Sequence, residues 1–125
     1  MNSFKELIVW QKSMELAKLI YEATYSFPKA ETFGLASQMQ RAAVSIPSNI
    51  AEGFSRKHPR EFRQFLSIAY SSAAELETQL ILSEELKFIT KDNFEKLSSI
   101  ITEVRKMLNR LIIVVQQQTS LRTKH

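Results

Sequence analysis

The stretch that decides the fold is Arg41-Ala42-Ala43-Val44-Ser45-Ile46-Pro47-Ser48-Asn49-Ile50-Ala51-Glu52-Gly53. Apolar residues recur through it at helical spacing, and the repeat continues on both sides of Pro47. A proline inside a helix removes one backbone hydrogen bond and costs roughly 3 kcal/mol. Because the pattern persists across the proline, the sequence predicts one helix with a kink at Pro47.

A polar stripe runs beside the apolar one on the same helix. Its members are Gln38, Ser45, Asn49 and Glu52. Such side chains can satisfy backbone carbonyls freed by a proline and can bridge to a neighbouring helix. Glu75 and Gln79, one turn apart on a later helix, are the predicted partners. We interpret all six residues as a structural polar network that fixes helix register, with a ligand site as the alternative.

The composition predicts one soluble helical domain. The 125 residues include no cysteine, two glycines and three prolines, which excludes a disulfide framework and disfavours folds with many turns. The N-terminus lacks the organisation of a signal peptide, and no apolar run approaches the ~20 residues that cross a bilayer. We therefore expect a cytoplasmic protein without a membrane segment.

Apolar periodicity predicts four long helices in an all-α, up-down-up-down bundle that covers residues 1–118. Residues 119–125 lose the pattern and are predicted to form a disordered tail. The predicted helices are Phe4 to Tyr25, Glu31 or Leu35 to Phe54, Pro59 to about Lys87, and a fourth that follows an N-cap at Thr90. If Pro47 ended the second helix, a three-helix bundle would be the alternative.

The first helix carries two apolar lines, which is more than one bundle seam requires. The line assigned to the seam is Leu7, Trp10, Met14, Ala17, Tyr21 and Thr24. The second line includes Val9, Leu16 and Ile20 and lies about 100° away. Outside the seam these three residues would form an exposed apolar patch in a monomer, so we expect a homo-oligomer.

Basic residues are unevenly distributed within a net charge of +4, and they suggest a polyanionic partner. The candidate nucleic-acid-binding residues are Arg56, Lys57, Arg60, Arg63, Arg105, Lys106 and Arg110. Because phosphate contacts carry little sequence information, we expect weak sequence preference and strong salt dependence. A basic surface that only aids solubility is the alternative.

No catalytic, metal or cofactor site is predicted. His58 lies in a polar turn and His125 is terminal, and neither has a serine or aspartate at a spacing that would build a nucleophilic site. Glu-x-x-His motifs are absent, and Glu84 and Glu85 are adjacent rather than stacked one turn apart. We therefore expect a protein that is not an enzyme.

Five segments together resemble a known family. They are Phe4-x-x-Leu7-x-x-Trp10, Phe27-Pro28-x-x-Glu31-x-Phe33-Gly34-Leu35, the Arg41–Gly53 stretch, Phe62-x-x-Phe65-Leu66-x-x-Ala69, and Glu75-Leu76-Glu77-Thr78-Gln79. The chain is similar over nearly its whole length to the four-helix-bundle proteins of 23S ribosomal RNA intervening sequences. That family also includes the accessory variability protein of diversity-generating retroelements. Tyr70-Ser71-Ser72 departs from the Gly-Ser usual there.

The resemblance implies a ring-shaped homopentamer with a basic surface and supplies no catalytic residues. Its accessory members bind nucleic acid and a reverse transcriptase. The predicted function is therefore a non-enzymatic, oligomeric nucleic-acid-binding protein that takes RNA rather than DNA. The alternative is a protein-interaction scaffold whose ring binds a partner protein such as a reverse transcriptase.

Overall fold

The computed structural model describes the backbone of residues 2–123 and the side chains of residues 2–118. The α-helices are α1 (Ile8–Tyr25), α2 (Leu35–Ser55), α3 (Pro59–Glu85) and α4 (Lys91–Thr123). Short 3-10 helices, Phe4–Glu6 and Lys29–Glu31, precede α1 and α2. The described part of the chain contains no strand. The predicted all-α four-helix bundle is confirmed.

Each helix packs on its neighbours in the sequence, and α1 also packs on α4 to close the bundle. Cross-helix contacts give the directions. Gln40 near the start of α2 hydrogen-bonds Thr24 at the end of α1, while Gly53 at the end of α2 lies beside Phe65 near the start of α3. Successive helices are therefore antiparallel. One end of the bundle accordingly holds the start of α1, the α2–α3 turn and the C-terminal part of α4.

The helix ends follow their local sequence. Thr90 caps α4 as predicted, because its hydroxyl oxygen accepts a hydrogen bond from the backbone N–H of Asn93 at 3.2 Å. Pro59 is the first residue of α3, where a missing N–H has no cost. After α2 and α3 the chain turns through Lys57 and Lys87, with φ of 58° and 63°. This left-handed conformation usually belongs to glycine.

Helix α2 is unbroken from Leu35 to Ser55, with the buried Pro47 inside it. The three-helix alternative is therefore wrong. Ile46 and Ile50, on either side of the proline, are fully buried, so the apolar stripe does persist across it. Packing of this stripe against the core offsets the hydrogen bond that Pro47 removes. The kink at Pro47 stays a prediction.

The prediction for the outer face of α1 was wrong. Val9, Leu16 and Ile20, expected to form an exposed patch, are buried in the core. The buried line of α1 also includes two polar residues, Ser13, which interrupts its apolar periodicity, and Thr24, which was correctly assigned to the seam. Both hydroxyls donate to carbonyls of their own helix, at 2.9 Å and 2.8 Å, so their burial leaves no polar atom unsatisfied.

Helices α2 and α3 approach each other closely at Gly53. A Cβ at this position would lie 2.6 Å from the Cβ of Phe65 and 3.3 Å from the carbonyl oxygen of Phe62. The lack of a side chain lets the two helices approach each other just before the turn that joins them.

Helix α4 continues to Thr123, past the position where the disordered tail was predicted to begin. The side chains of residues 119–123, and residues 124 and 125 altogether, lie outside the described residues. The predicted disorder of the tail stays a prediction.

Candidate nucleic-acid interface

The α2–α3 turn and the first turns of α3 hold the predicted basic cluster. Arg56, Lys57 and Arg60 are exposed, and Arg63 is half-buried. The guanidinium of Arg56 lies 3.4 Å from the carboxylate of Glu52 and 5.3 Å from the ring centroid of Phe65. Arg56 is therefore partly held in place by its neighbours. Among the described residues Lys57, Arg60 and Arg63 make no ion pair within 4 Å, so their charges are open to an anion.

The predicted α4 residues have different environments. Lys106 and Arg110 are exposed. Arg105 instead donates to the carboxylate of Glu77 at 3.3 Å and 3.2 Å, and to the hydroxyl of Tyr70 at 3.4 Å. Its guanidinium also lies 5.5 Å from the centroid of the Tyr70 ring. We therefore interpret Arg105 as a residue that joins α3 to α4 rather than as a phosphate ligand.

The electrostatics of Arg105 agree with this role. The hydrogen bond to Tyr70, followed by the attraction of Glu77, raises the pKa of Arg105 above its ordinary value, and burial opposes the rise. Because folding raises the pKa of Arg105, the stabilisation that its charge provides is fully present at every pH below the unfolded pKa of arginine. Since arginine loses its proton only at strongly alkaline pH, the pair keeps its cation throughout the working pH range.

Arg110 on α4 lies toward the same end of the bundle as the basic residues of the α2–α3 turn. Arg110 lies five residues beyond Arg105 along α4, about 7.5 Å closer to the end that holds the α2–α3 turn. The opposite end carries charges of both signs at the end of α3 and the start of α4: the acids Glu84, Glu85, Asp92 and Glu95 and the exposed lysines Lys87, Lys91 and Lys96. Basic residues therefore outnumber acids at the α2–α3 turn, whereas lysines offset most of the acidic charge at the opposite end.

The predicted polar network is only partly assembled. The hydroxyls of Ser45 on α2 and Ser72 on α3 lie 2.8 Å apart. The side-chain amide of Asn49 donates to the backbone carbonyl of Ser45 at 2.7 Å and to its hydroxyl at 3.0 Å. The carbonyl that Pro47 leaves without its i+4 donor is that of Ala43, whereas Asn49 supports the carbonyl of Ser45, two residues further along.

The other predicted members lie outside this cluster. Gln38, Glu52 and Glu75 are exposed, and Glu52 pairs with Arg56. Gln79 is 9% exposed, and its side-chain oxygen has no hydrogen-bond partner in the described structure. The bridge between the helices is therefore made by Ser72, which the polar stripe did not predict.

Sequence reasoning also missed a groove of about 640 Å³ between α1 and α2. It is lined mainly by apolar side chains, among them Trp10, Met14, Tyr21, Val44 and Pro47. Tyr21, which was assigned to the core, is 48% exposed in it. The sequence does contain the apolar line that borders this groove, because Trp10, Met14 and Tyr21 belong to the line assigned to the bundle seam. At these three positions the seam and the outer face of α1 were interchanged.

The described residues support neither a metal site nor a membrane-spanning helix. No three histidine, cysteine, aspartate or glutamate side chains from 2 to 118 are grouped so that they could hold a metal ion. Within the same part of the chain, no helix is both long and apolar enough to cross a membrane.

Comparison with known proteins decides the family. Residues 5–110 match the family model of the 23S rRNA-intervening sequence protein. The chain belongs to this family. A crystal structure from Bacteroides thetaiotaomicron, described as a protein with unknown function from the S23 ribosomal protein family, is 28% identical. The superposition covers 84% of this chain and 95% of the Bacteroides chain, with a TM-score of 0.76. No curated protein matches the sequence.

The segment Tyr70-Ser71-Ser72 has a structural role. Tyr70 accepts a hydrogen bond from Arg105 of α4, and Ser72 contacts Ser45 of α2. The two side chains therefore connect α3 to both of its neighbouring helices.

Proposed function

We propose that this protein is a non-enzymatic, oligomeric RNA-binding protein that contacts the phosphate backbone with one end of its bundle. The observation that carries the proposal is the clustering of Lys57, Arg60 and Arg63 at the α2–α3 turn, with Arg110 on α4 toward the same end. Lysine and arginine at an exposed helix end are suited to phosphate oxygens, and the N-terminus of α3 adds partial positive charge.

The expected binding mode is electrostatic. Each phosphate that a lysine or arginine neutralises releases counterions, so affinity falls as salt rises. At the α2–α3 turn, Phe62 packs on the core and edge-on against Phe54, so its ring is not free to stack on a base. We therefore expect recognition of the shape and charge of structured RNA, with weak sequence preference.

A salt titration tests the proposal. Binding of a structured RNA hairpin, and of a DNA duplex of equal length, is measured by fluorescence anisotropy at several salt concentrations. We expect tighter binding to the RNA and a slope of log affinity against log salt that corresponds to several phosphate contacts. Failure to bind the hairpin at low salt would overturn the proposal.

An oligomer would multiply the basic surface. In a closed cyclic assembly every subunit presents the same end to the same side, so the clusters would form a basic rim. Five subunits are what the resemblance to the accessory variability protein implies. Avidity across such a rim would let a modest charge per subunit bind a long polyanion.

The apolar groove favours a second candidate function, a scaffold that binds a partner protein such as a reverse transcriptase. Exposed apolar grooves of this kind are typical of protein interaction sites. A purified partner encoded beside the gene would be tested by calorimetry against the parent and against the groove variant Val44→Glu. Binding to the parent but not to the variant, without any RNA binding, would favour the scaffold.

A further inference from the structure

Arg56, the residue that follows α2, is held in a defined position although its side chain is exposed. One terminal nitrogen of its guanidinium lies 3.4 Å from the carboxylate of Glu52, one helical turn earlier. The central carbon of the guanidinium lies over the ring of Phe65, 5.3 Å from the centroid, which is within the range of a cation–π contact. Since Glu52 belongs to α2 and Phe65 to α3, both helices that flank the turn orient this arginine.

The ring of Phe65 reaches Arg56 because α2 and α3 approach each other closely at Gly53. A Cβ at this glycine would lie 2.6 Å from the Cβ of Phe65, so the missing side chain lets Phe65 lie against α2. Phe62 packs edge-on against Phe54, whereas the half-buried Phe65 lies under an arginine. The protein side of the Arg56 guanidinium is therefore backed by an aromatic ring.

The outer side of the Arg56 guanidinium is open to solvent. The side chain is 48% exposed, and the ring of Phe65 covers the side that faces the protein. Among the described residues, Glu52 accepts from one of the guanidinium N–H donors, at a long 3.4 Å. The outer face and the other donors are therefore available to a ligand.

Arg105 provides the comparison, because its guanidinium also lies over an aromatic ring, 5.5 Å from the centroid of Tyr70. Its donors are engaged by the carboxylate of Glu77 and by the hydroxyl of Tyr70, and its side chain is only 32% exposed. Arg105 thus joins two helices. Arg56 has the same aromatic backing but keeps an open face.

A nucleobase is the ligand that fits this open face. Unpaired bases stack on aromatic rings and on arginine guanidinium planes, whereas the bases of an intact RNA helix are already stacked on their neighbours. Lys57, Arg60 and Arg63 lie at the same turn and in the first turns of α3, where they can contact the phosphates beside such a base.

We infer that the outer face of Arg56 is a stacking platform for one unpaired base, with Phe65 and Glu52 as its positioning residues. The inference rests on the proposed function and names the class of RNA that the basic end prefers, a helix interrupted by an unpaired nucleotide. Every base has a π-face, so stacking is compatible with weak sequence preference. Because Glu52 and Phe65 already orient the guanidinium, less side-chain entropy is lost when the base binds.

Two RNA duplexes that differ by one base test the stacking. One duplex carries a single unpaired nucleotide in the middle of a strand. The other has an abasic nucleotide at that position, so the two contain the same number of phosphates. Fluorescence anisotropy should show that the parent binds the first duplex about tenfold more tightly, as expected for the stacking of one base. Arg56→Lys keeps the charge but loses the planar group, so it should bind both duplexes with equal affinity.

Arg60→Lys is the matched control, because it makes the same exchange close to the same turn. It should change the affinity for both duplexes by the same factor and thus keep the preference of the parent. The inference is overturned if the parent binds both duplexes equally, if the preference survives in Arg56→Lys, or if Arg60→Lys abolishes it as well. In each of these cases electrostatic RNA binding stands. A parent that binds neither duplex at low salt would overturn the proposed function itself.

Phe65→Leu tests the positioning of the guanidinium. This variant retains Arg56 and the net charge, so it should bind the abasic duplex as the parent does. Its preference for the unpaired base should fall several-fold, because the guanidinium is no longer backed by a ring. A full preference in this variant would contradict the role of Phe65. Circular dichroism confirms that each variant is folded.

Discussion

Ser45 lies two residues before Pro47 on α2, and its hydroxyl is 2.8 Å from the hydroxyl of Ser72 on α3. Asn49 holds Ser45 in this position by donating to its hydroxyl and to its carbonyl. A proline weakens the helix at this point, and the three side chains restore polar contacts beside it. The turn around Pro47 is therefore fixed to α3 by hydrogen bonds as well as by the apolar core.

Replacing Asn49 by leucine should lower the free energy of unfolding by roughly 1–3 kcal/mol, because the half-buried Ser45 hydroxyl would lose a donor. Urea unfolding followed by circular dichroism measures the change. Gln38→Leu is the matched control, since Gln38 is exposed on the same helix and should change stability by less than about 0.5 kcal/mol. Equal stability of Asn49→Leu and the parent would show that the hydrogen bonds of Asn49 contribute nothing.

The effect of Gly53→Ala on the free energy of unfolding shows whether helix propensity or close packing dominates at this position. Helix propensity alone predicts that alanine stabilises α2 by about 1 kcal/mol. The added Cβ would lie 2.6 Å from the Cβ of Phe65, so α2 and α3 must move apart. We expect a net loss of roughly 1–3 kcal/mol in thermal or urea unfolding. A more stable variant would mean that the two helices separate at little cost.

Arg105 and Arg110 should behave differently when each is changed to methionine. Arg105→Met removes the interactions with Glu77 and Tyr70 and should cost roughly 1 kcal/mol of stability, while the salt dependence of RNA binding stays the same. Arg110→Met should leave stability nearly unchanged and lower the salt slope. Urea unfolding and the RNA titration are run on both variants. The reverse pattern would identify Arg105 as the phosphate ligand.

The basic end is tested by changing Arg60 and Arg63 to glutamate. This change should weaken RNA binding and lower the salt slope by about one unit for each phosphate that the protein no longer neutralises. The control with the same change in net charge is Lys91→Glu with Lys96→Glu, two exposed residues at the start of α4. If both pairs weaken binding equally, overall charge rather than this cluster attracts the RNA.

Lys57→Gly should separate stability from binding. Lysine with a φ of 58° is strained by about 1 kcal/mol relative to glycine, so the variant should be more stable by about that amount. It should bind RNA more weakly, since the cluster then has one basic side chain fewer. Lys87→Gly, with a φ of 63° at the opposite end of the bundle, should gain the same stability and bind RNA as the parent does. Unchanged RNA binding by Lys57→Gly would exclude Lys57 from the interface.

The sequence predicted the helices because their apolar stripes are long and regular. On α3, Leu66, Ala69, Ala73, Leu76 and Leu80 repeat at heptad spacing, and all five are fully buried. On α1 the same reasoning chose the wrong outer line, since Ser13 is buried without being apolar. A hydroxyl that bonds to its own helix is compatible with a core, and hydrophobic periodicity cannot show this.

The candidate site was less predictable because it depends on contacts between helices. Arg105 and Arg110 look equivalent as sequence, and only the positions of Tyr70 and Glu77 on α3 separate them. Likewise, Ser72 rather than Glu75 or Gln79 meets Ser45, since helix phase decides which side chain faces the neighbour. Local patterns specify which residues share a helix face, whereas partners across helices follow from register.

The order of packing in the bundle has a consequence for how the chain folds. Among the described residues, three of the four pairs of α-helices in contact are consecutive in the sequence, and the fourth pair, α1 and α4, meets across the length of the chain. Contacts near in sequence cost little loop-closure entropy, so we expect folding in microseconds to milliseconds. The pairing of α1 with α4, which includes Lys12 and Glu103 at 3.6 Å, closes the largest loop. It should form last during folding and open first in the native state, exposing the faces that α1 and α4 bury against each other before the rest of the core.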